Sequence, residues 1–232
     1  MAESLEQAWE LNQKGRNNVI IGGNLWLKMG NRNILNATDL STLGLDRIEE
    51  DEGGFRIGCM ATLRDIEMHE GLNKEFQNLF KEAVRHIVGV QFRNCATVGG
   101  SIFPKLGFSD VLTAFLACDT QVILYKKGEV SLREFIYMPL DNDILTHIYV
   151  KKDGRKTAYE SFRMTETDFP TLTCAMAMVD GRFETVLGAR PKHAEVVIDE
   201  ELADSLSKED VASYAKRVID KLQYGSNIRG SK

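Results

Sequence analysis

Arg93-Asn94-Cys95-Ala96-Thr97-Val98-Gly99-Gly100-Ser101-Ile102 is the stretch whose reading decides the fold, and Val19-Ile20-Ile21-Gly22-Gly23-Asn24-Leu25 is its counterpart near the start of the chain. Each carries apolar residues up to a glycine pair and then a small polar residue. Glycine lacks Cβ, so it adopts positive φ and lets successive N–H groups converge on one concavity, which suits an anionic oxygen. Two such turns could grip one diphosphate from both sides. Either turn taken alone reads as an ordinary glycine-rich connection, and the pairing of the two is what shifts the balance toward a nucleotide. Asn24, Thr97 and Ser101 add hydrogen-bond donors beside the glycines.

Around these turns the chain alternates short strands and helices. Ser4 and Gln7 read as a capping box opening a helix that ends at Gly15. Val19-Ile20-Ile21 is a buried strand delivering into the first turn. Phe76, Leu79, Phe80, Ala83, Val84, Ile87 and Val88 predict one long amphipathic helix from Asn73 to Gly89, just before the second turn. Ser109-Asp110 opens a further apolar helix. Residues 144–150 and 157–162 read as a pair of strands, Asp180-Gly181 as a type I′ hairpin turn, and Ser207 as the cap of a last helix with Val211, Tyr214, Ala215, Val218, Ile219 and Leu222 on one stripe. The class is α+β. Joints near Gly53 and Thr165 divide the chain into expected units 1–52, 53–165 and 166–232.

Composition narrows the function. The chain has 232 residues, 43% hydrophobic and 27% charged, with 29 basic against 34 acidic residues for a net charge of −5. No basic tract stands out, so nucleic acid is not an expected partner. The first residues lack a basic segment followed by an apolar run, and no apolar run approaches the roughly 20 residues of a membrane helix, so a cytoplasmic location is expected. Cys59, Cys95, Cys118 and Cys174 form no Cys-x-x-Cys pair, and His69, His86, His147 and His193 are scattered, so no protein-bound metal is expected. Neither Gly-x-Gly-x-x-Gly, a Walker loop nor a Gly-x-Ser-x-Gly elbow occurs, and no nucleophile has a base beside it. Asp110 suits a ribose hydroxyl or a helix cap, both open at this stage. Trp26, Phe80 and Phe115 read as core; Phe162 and Phe169 lie where an aromatic ring could face a planar cofactor, with core packing the plainer alternative. Arg163 and Asp168 are placed to form a surface ion pair.

The two glycine stretches, together with Ile57-Gly58-Cys59-Met60-Ala61-Thr62-Leu63-Arg64-Asp65-Ile66, Ser109-Asp110, Thr167-Asp168-Phe169 and Ile228-Arg229-Gly230-Ser231, resemble the FAD-binding subunit of molybdenum hydroxylases, the group of xanthine, carbon monoxide and nicotinate dehydrogenases. The resemblance covers nearly the whole chain. It implies the vanillyl-alcohol-oxidase-type FAD-binding fold, two α+β subdomains with a C-terminal lobe of antiparallel sheet and helix. It also implies FAD contacts at Ile20, Ile21, Gly22, Gly23, Asn24 and Leu25 and at Thr97, Val98, Gly99, Gly100 and Ser101. By the same resemblance Asp110 becomes a cofactor contact, and Ile144 and Phe162 fall near the flavin ring. An iron–sulfur subunit and a molybdopterin subunit are the implied partners, with NAD⁺ as acceptor. Relatives usually read Gly-Gly-Thr-Asp-Leu where this chain has Gly-Gly-Asn-Leu-Trp, and Ser101 stands for the commoner Asn. Two other readings compete: a self-contained reductase resembling the enolpyruvyl sugar-nucleotide reductase, which needs Cys95 or Ser101 as proton donor, and a flavin-free docking subunit in which both turns are only structural.

Overall fold

Local sequence and packing agree over most of the chain. The computed structural model describes residues 1–190, 193–199 and 207–231, so 191–192, 200–206 and 232 of the expected last unit lie outside the described residues. Helix α1 (Leu5–Gln13), with Ser4 accepting the Gln7 N–H, packs on strands β1 (Asn18–Ile21) and β2 (Asn36–Asp39), which run parallel. A five-stranded antiparallel sheet follows: β3 (Ile48–Glu50), β4 (Gly54–Gly58), β5 (Thr120–Leu124), β6 (Gly128–Ser131) and β7 (Leu145–Lys151), in the order β3-β4-β7-β5-β6. A second antiparallel sheet orders β11 (Glu195–Asp199), β10 (Arg182–Gly188), β9 (Leu172–Val179) and β8 (Lys156–Phe162). Asp180 and Gly181 take φ of 50° and 71° at the β9–β10 turn, as the Asp-Gly pair predicts.

Two expectations need correction. Residues 144–150 and 157–162 do not pair: β7 lies between β4 and β5, while β8 pairs with β9. The chain passes from one sheet to the other over residues 152–155. The second correction concerns the long helix, which is two short ones, α3 (Glu70–Glu75) and α4 (Leu79–Val84), separated by Gln77 and Asn78 at φ 45° and 64°. Asn73 is the cause. Its buried amide donates to the carbonyls of Ile66, Glu67 and His69, and its oxygen accepts the Lys81 N–H, so the break is closed by hydrogen bonds rather than by helix. Apolar periodicity survives the break, because Phe76, Leu79, Phe80, Ala83 and Val84 are all buried.

The core gathers the inner residues of both sheets around the helices α2 (Leu63–Met68), α4 and α7 (Asp110–Leu116), with α4 and α7 packed on β8, β9 and β10. Phe55, Phe76, Phe80 and Phe115 run through it as a chain of rings with centroids 6.1, 5.5 and 4.5 Å apart. Thr62 and Asp65 cap α2 reciprocally, and Ser207 and Asp210 do the same for α9 (Lys208–Asp220). On α9 only Tyr214 and Val218 of the expected stripe are buried; Val211 and Ile219 are half exposed.

Candidate functional site

The two glycine turns meet. Gly23 has φ 69°, and a Cβ there would stand 1.8 Å from the carbonyl oxygen of Cys95; one on Gly22 would stand 2.4 Å from Thr97 Oγ1. A Cβ on Gly99 would lie 2.7 Å from Cys59 Cβ. The bare backbone expected to face a ligand therefore faces protein at these positions. Glycine here lets one turn seat on the other.

Their N–H groups are used differently. In the second turn Thr97 caps α6 (Val98–Ile102), and the N–H groups of Val98, Gly99, Gly100 and Ser101 go to Ala61 O, Cys59 O, Thr97 Oγ1 and Thr97 O. Ser101 Oγ donates to Thr97 O at 2.9 Å, which corrects its reading as a free donor. The N–H groups of Gly23 and Asn24 have no acceptor among the described residues. Both residues are exposed and at positive φ.

These turns form one wall of a cleft of about 420 Å³, within the range of small-molecule sites. Of the expected residues, Ile20, Ile21, Gly22, Asn24, Leu25, Thr97, Gly99, Gly100 and Ile144 line it; Gly23, Val98, Ser101, Asp110 and Phe162 do not. Residues 140–145 line it as well. Asp143 shapes this segment by accepting the N–H groups of Lys126, Lys127 and Ile144, and Asn12 and Gln13 hold the Asn142 carbonyl at 2.8 Å each. Asn12, Asn18, Arg32 and Met60 also line the cleft and escaped the sequence reading. The cluster Asp141-Asn142-Asp143 ahead of β7 was the one available signal, since such residues build turns by binding their own backbone. Cys59 lines the cleft as well, but burial pushes its thiol up to about 12, so it stays protonated at neutral pH.

Asp110 is sealed. It is 5% exposed at the first position of α7, after Ser109, which caps the helix by accepting the Leu112 N–H. Its carboxylate accepts from the Tyr159 hydroxyl and pairs with Arg163. Burial pushes this carboxyl above its ordinary range, opposed by the Arg163 charge and both hydrogen bonds. The expected Arg163–Asp168 ion pair is not made: Arg163 turns inward to Asp110 and touches Asp168 only at its carbonyl, 2.6 Å away. Asp168 pairs instead with Arg229 at 3.0 Å. Phe162 is 61% exposed at the end of β8. Trp26, expected in the core, is 49% exposed and lines the cleft, with its ring 5.7 Å from Phe108 and 5.8 Å from Phe169.

No described helix is long and apolar enough to cross a membrane, and no cluster of three metal-binding side chains occurs among the described residues. The geometry suits a nucleotide cofactor. Two unengaged N–H groups, an apolar lining at Ile20, Ile21 and Ile144, and an aromatic edge at Trp26 are what a diphosphate joined to planar rings requires.

Comparison with known proteins agrees. The chain is 25% identical to the glyceraldehyde dehydrogenase medium chain of Sulfolobus acidocaldarius, over 99% of this chain and 89% of that one. It is 27% identical over 188 residues to the uncharacterized protein YgfM of Escherichia coli K12, covering 77% and 68% of the two chains. Its fold matches that of quinoline 2-oxidoreductase from Pseudomonas putida 86 with a TM-score of 0.88 at 18% identity, over 99% of this chain and 88% of that one. Residues 1–150 match the family described as the FAD binding domain in molybdopterin dehydrogenase. With its two interlocked glycine turns, open cleft and C-terminal antiparallel sheet, this chain belongs to that family of FAD-binding oxidoreductase subunits.

Proposed function

We propose that the chain is the electron-transfer subunit of a molybdenum hydroxylase complex: the cleft would hold FAD between the iron–sulfur clusters of a partner subunit, as electron source, and NAD⁺, as hydride acceptor, while substrate would be oxidised on a molybdopterin subunit. Bound FAD supplies the chemistry of a carrier that gains electrons singly and releases them in pairs. The observation that carries the reading is the unengaged N–H group of Asn24, which lines the cleft with Thr97, Gly100 and Ile144, with that of Gly23 next to it in the same turn.

The protein's share of the work is binding and orientation. Gly23 and Asn24 would donate to diphosphate oxygens. Asn24 lies on the surface, so its amide is free to add a third donor. Ile144, held by the Asp143 turn, and Trp26, which also lines the cleft, would hold the ring systems and keep water from them. Hydride transfer to a nicotinamide requires alignment and a dry contact more than a proton donor. That fits a cleft whose cysteine is buried and protonated and whose neighbouring Ser101 hydroxyl is already bonded to Thr97. The candidate donors of the enolpyruvyl-type reductase, Cys95 and Ser101, do not line the cleft, and the Ser101 proton is already given to Thr97 O, which weighs against that reading.

The test is direct. The full chain, purified and denatured, should release FAD in a ratio near one to one, and NADH should bleach the flavin absorbance of the native protein. A colourless protein that cannot be reconstituted with FAD supports the docking-subunit reading. A yellow protein indifferent to NADH retains FAD binding and removes NAD⁺ as acceptor.

A further inference from the structure

The C-terminal tail reaches the cleft through a continuous set of contacts. Arg190, just after β10, gives its guanidinium to the carbonyls of Gly225, Gly230 and Ser231 at 3.0, 2.6 and 3.2 Å, and to Thr171 O through Nε. Gly230 permits this approach, since a Cβ there would stand 2.0 Å from the Arg190 guanidinium. The tail so held presents Arg229. Its Nε and terminal nitrogen bond the two oxygens of Asp168 at 3.2 and 3.0 Å, and its guanidinium carbon lies 5.2 Å from the centre of the Phe169 ring. From the inside Arg163 holds the Asp168 carbonyl. Phe169 is thereby fixed 4.8 Å from Phe108 and edge-on to Trp26, which lines the cleft.

We propose that Arg229 is a positioning residue that, by clamping Asp168 and Phe169, sets the aromatic corner of Trp26, Phe108 and Phe169 against which a planar ring of the cofactor lies. The corner joins three parts of the chain remote in sequence, so none of them can set it alone. Only a planar fork can bond a carboxylate through two nitrogens while lying over an aromatic face; an ammonium does one or the other. The cofactor part rests on the FAD reading above, whereas the clamp itself does not.

The full chain carrying Trp9→Phe leaves Trp26 as its single tryptophan, because the sequence has two. In that background Arg229→Gln should shift ligand-free Trp26 emission to the red and make it about twofold easier to quench with acrylamide, as Phe169 swings away. It should weaken FAD binding about fivefold and alter the visible circular dichroism of bound flavin. Arg229→Lys should behave like Arg229→Gln. The thermal midpoint should stay within about 2 °C, since Arg229 and Asp168 are only half-buried and the pair is one among many contacts. Unchanged Trp26 emission in Arg229→Gln overturns the clamp, and full recovery by Arg229→Lys overturns the fork geometry in favour of charge alone. If the parent protein binds no FAD, the cofactor reading fails while ligand-free emission still decides the clamp.

Discussion

The two glycine turns look alike in sequence and do different work. The second is a keystone: Thr97, Val98 and Gly99 are buried, four successive N–H groups are bound to protein, and buried ion pairs flank it. Arg93, just before it, gives a two-nitrogen bond to Glu67 on α2, and Asp110, just after it, holds Arg163. The first turn sits on this keystone, exposed, with left-handed residues and unengaged N–H groups. A glycine pair is therefore a statement about close approach and says nothing of what approaches. Here the approach is turn to turn, and it leaves N–H groups unengaged on one side only.

Breaking the keystone should cost most. Glu67→Gln leaves Arg93 buried without its counter-charge, and should destabilise the fold by about 3–5 kcal/mol in urea unfolding. The pH dependence has a definite sign. Burial raises the Glu67 carboxyl, but hydrogen bonds and charge from Arg93 and Arg64 outweigh it and hold the folded value below the ordinary 4.5. The stability it gives is present above that ordinary value and is lost as pH falls through the folded one. Stability measured from pH 6 down to 3 should show this loss in the parent and a smaller one in Glu67→Gln.

Next comes the seat between the turns. Gly99→Ala puts a Cβ 2.7 Å from the side chain and the carbonyl of Cys59, and should cost about 1–3 kcal/mol, read as a shift in the urea midpoint. FAD affinity should fall with it, because displacing α6 moves the support of the first turn. A glycine substitution that loosens FAD is thus no proof of ligand contact at that glycine.

A charge placed on the open turn should separate binding from stability. Asn24→Asp is nearly isosteric and keeps a residue type that tolerates positive φ, so the fold should change by less than about 0.5 kcal/mol. A carboxylate beside the diphosphate should weaken FAD binding about tenfold in equilibrium titration, and less at high salt. Equal affinity in parent and variant would remove the first turn from the diphosphate site.

Much of the fold could be read in the chain. The strand into Gly22, the Asp180-Gly181 hairpin and the Ser4 and Ser207 caps rest on local rules that packing leaves intact. What escaped was set by distant partners. Asn73 breaks a helix by reaching back to Ile66 and forward to Lys81, and β7 and β8 separate because each finds a better neighbour elsewhere. As cleft-lining residues Gly22, Gly99, Gly100, Thr97 and Ile144 were legible, while Asn12, Arg32 and residues 140–143 were not, since their place in the cleft follows from tertiary approach alone. Asp110 shows the limit most clearly: helix cap and ligand contact were both argued, and its carboxylate instead binds Tyr159 and Arg163, far off in sequence.

The smallest effect is the sharpest test of the contrast. Ser101 was expected to donate to an anionic oxygen, yet its hydroxyl proton goes to Thr97 O and its N–H to the same carbonyl. Ser101→Ala removes one half-buried neutral hydrogen bond, worth about 0.5–1.5 kcal/mol of stability. Because no donor aimed at the cleft is lost, FAD affinity should stay within about twofold of the parent, against the tenfold loss for Asn24→Asp. A tenfold loss in Ser101→Ala would mean that α6 gives up its internal bonds to meet the diphosphate. The keystone would then be a second gripping turn, as its sequence first implied, and the division of labour between the two turns would not hold.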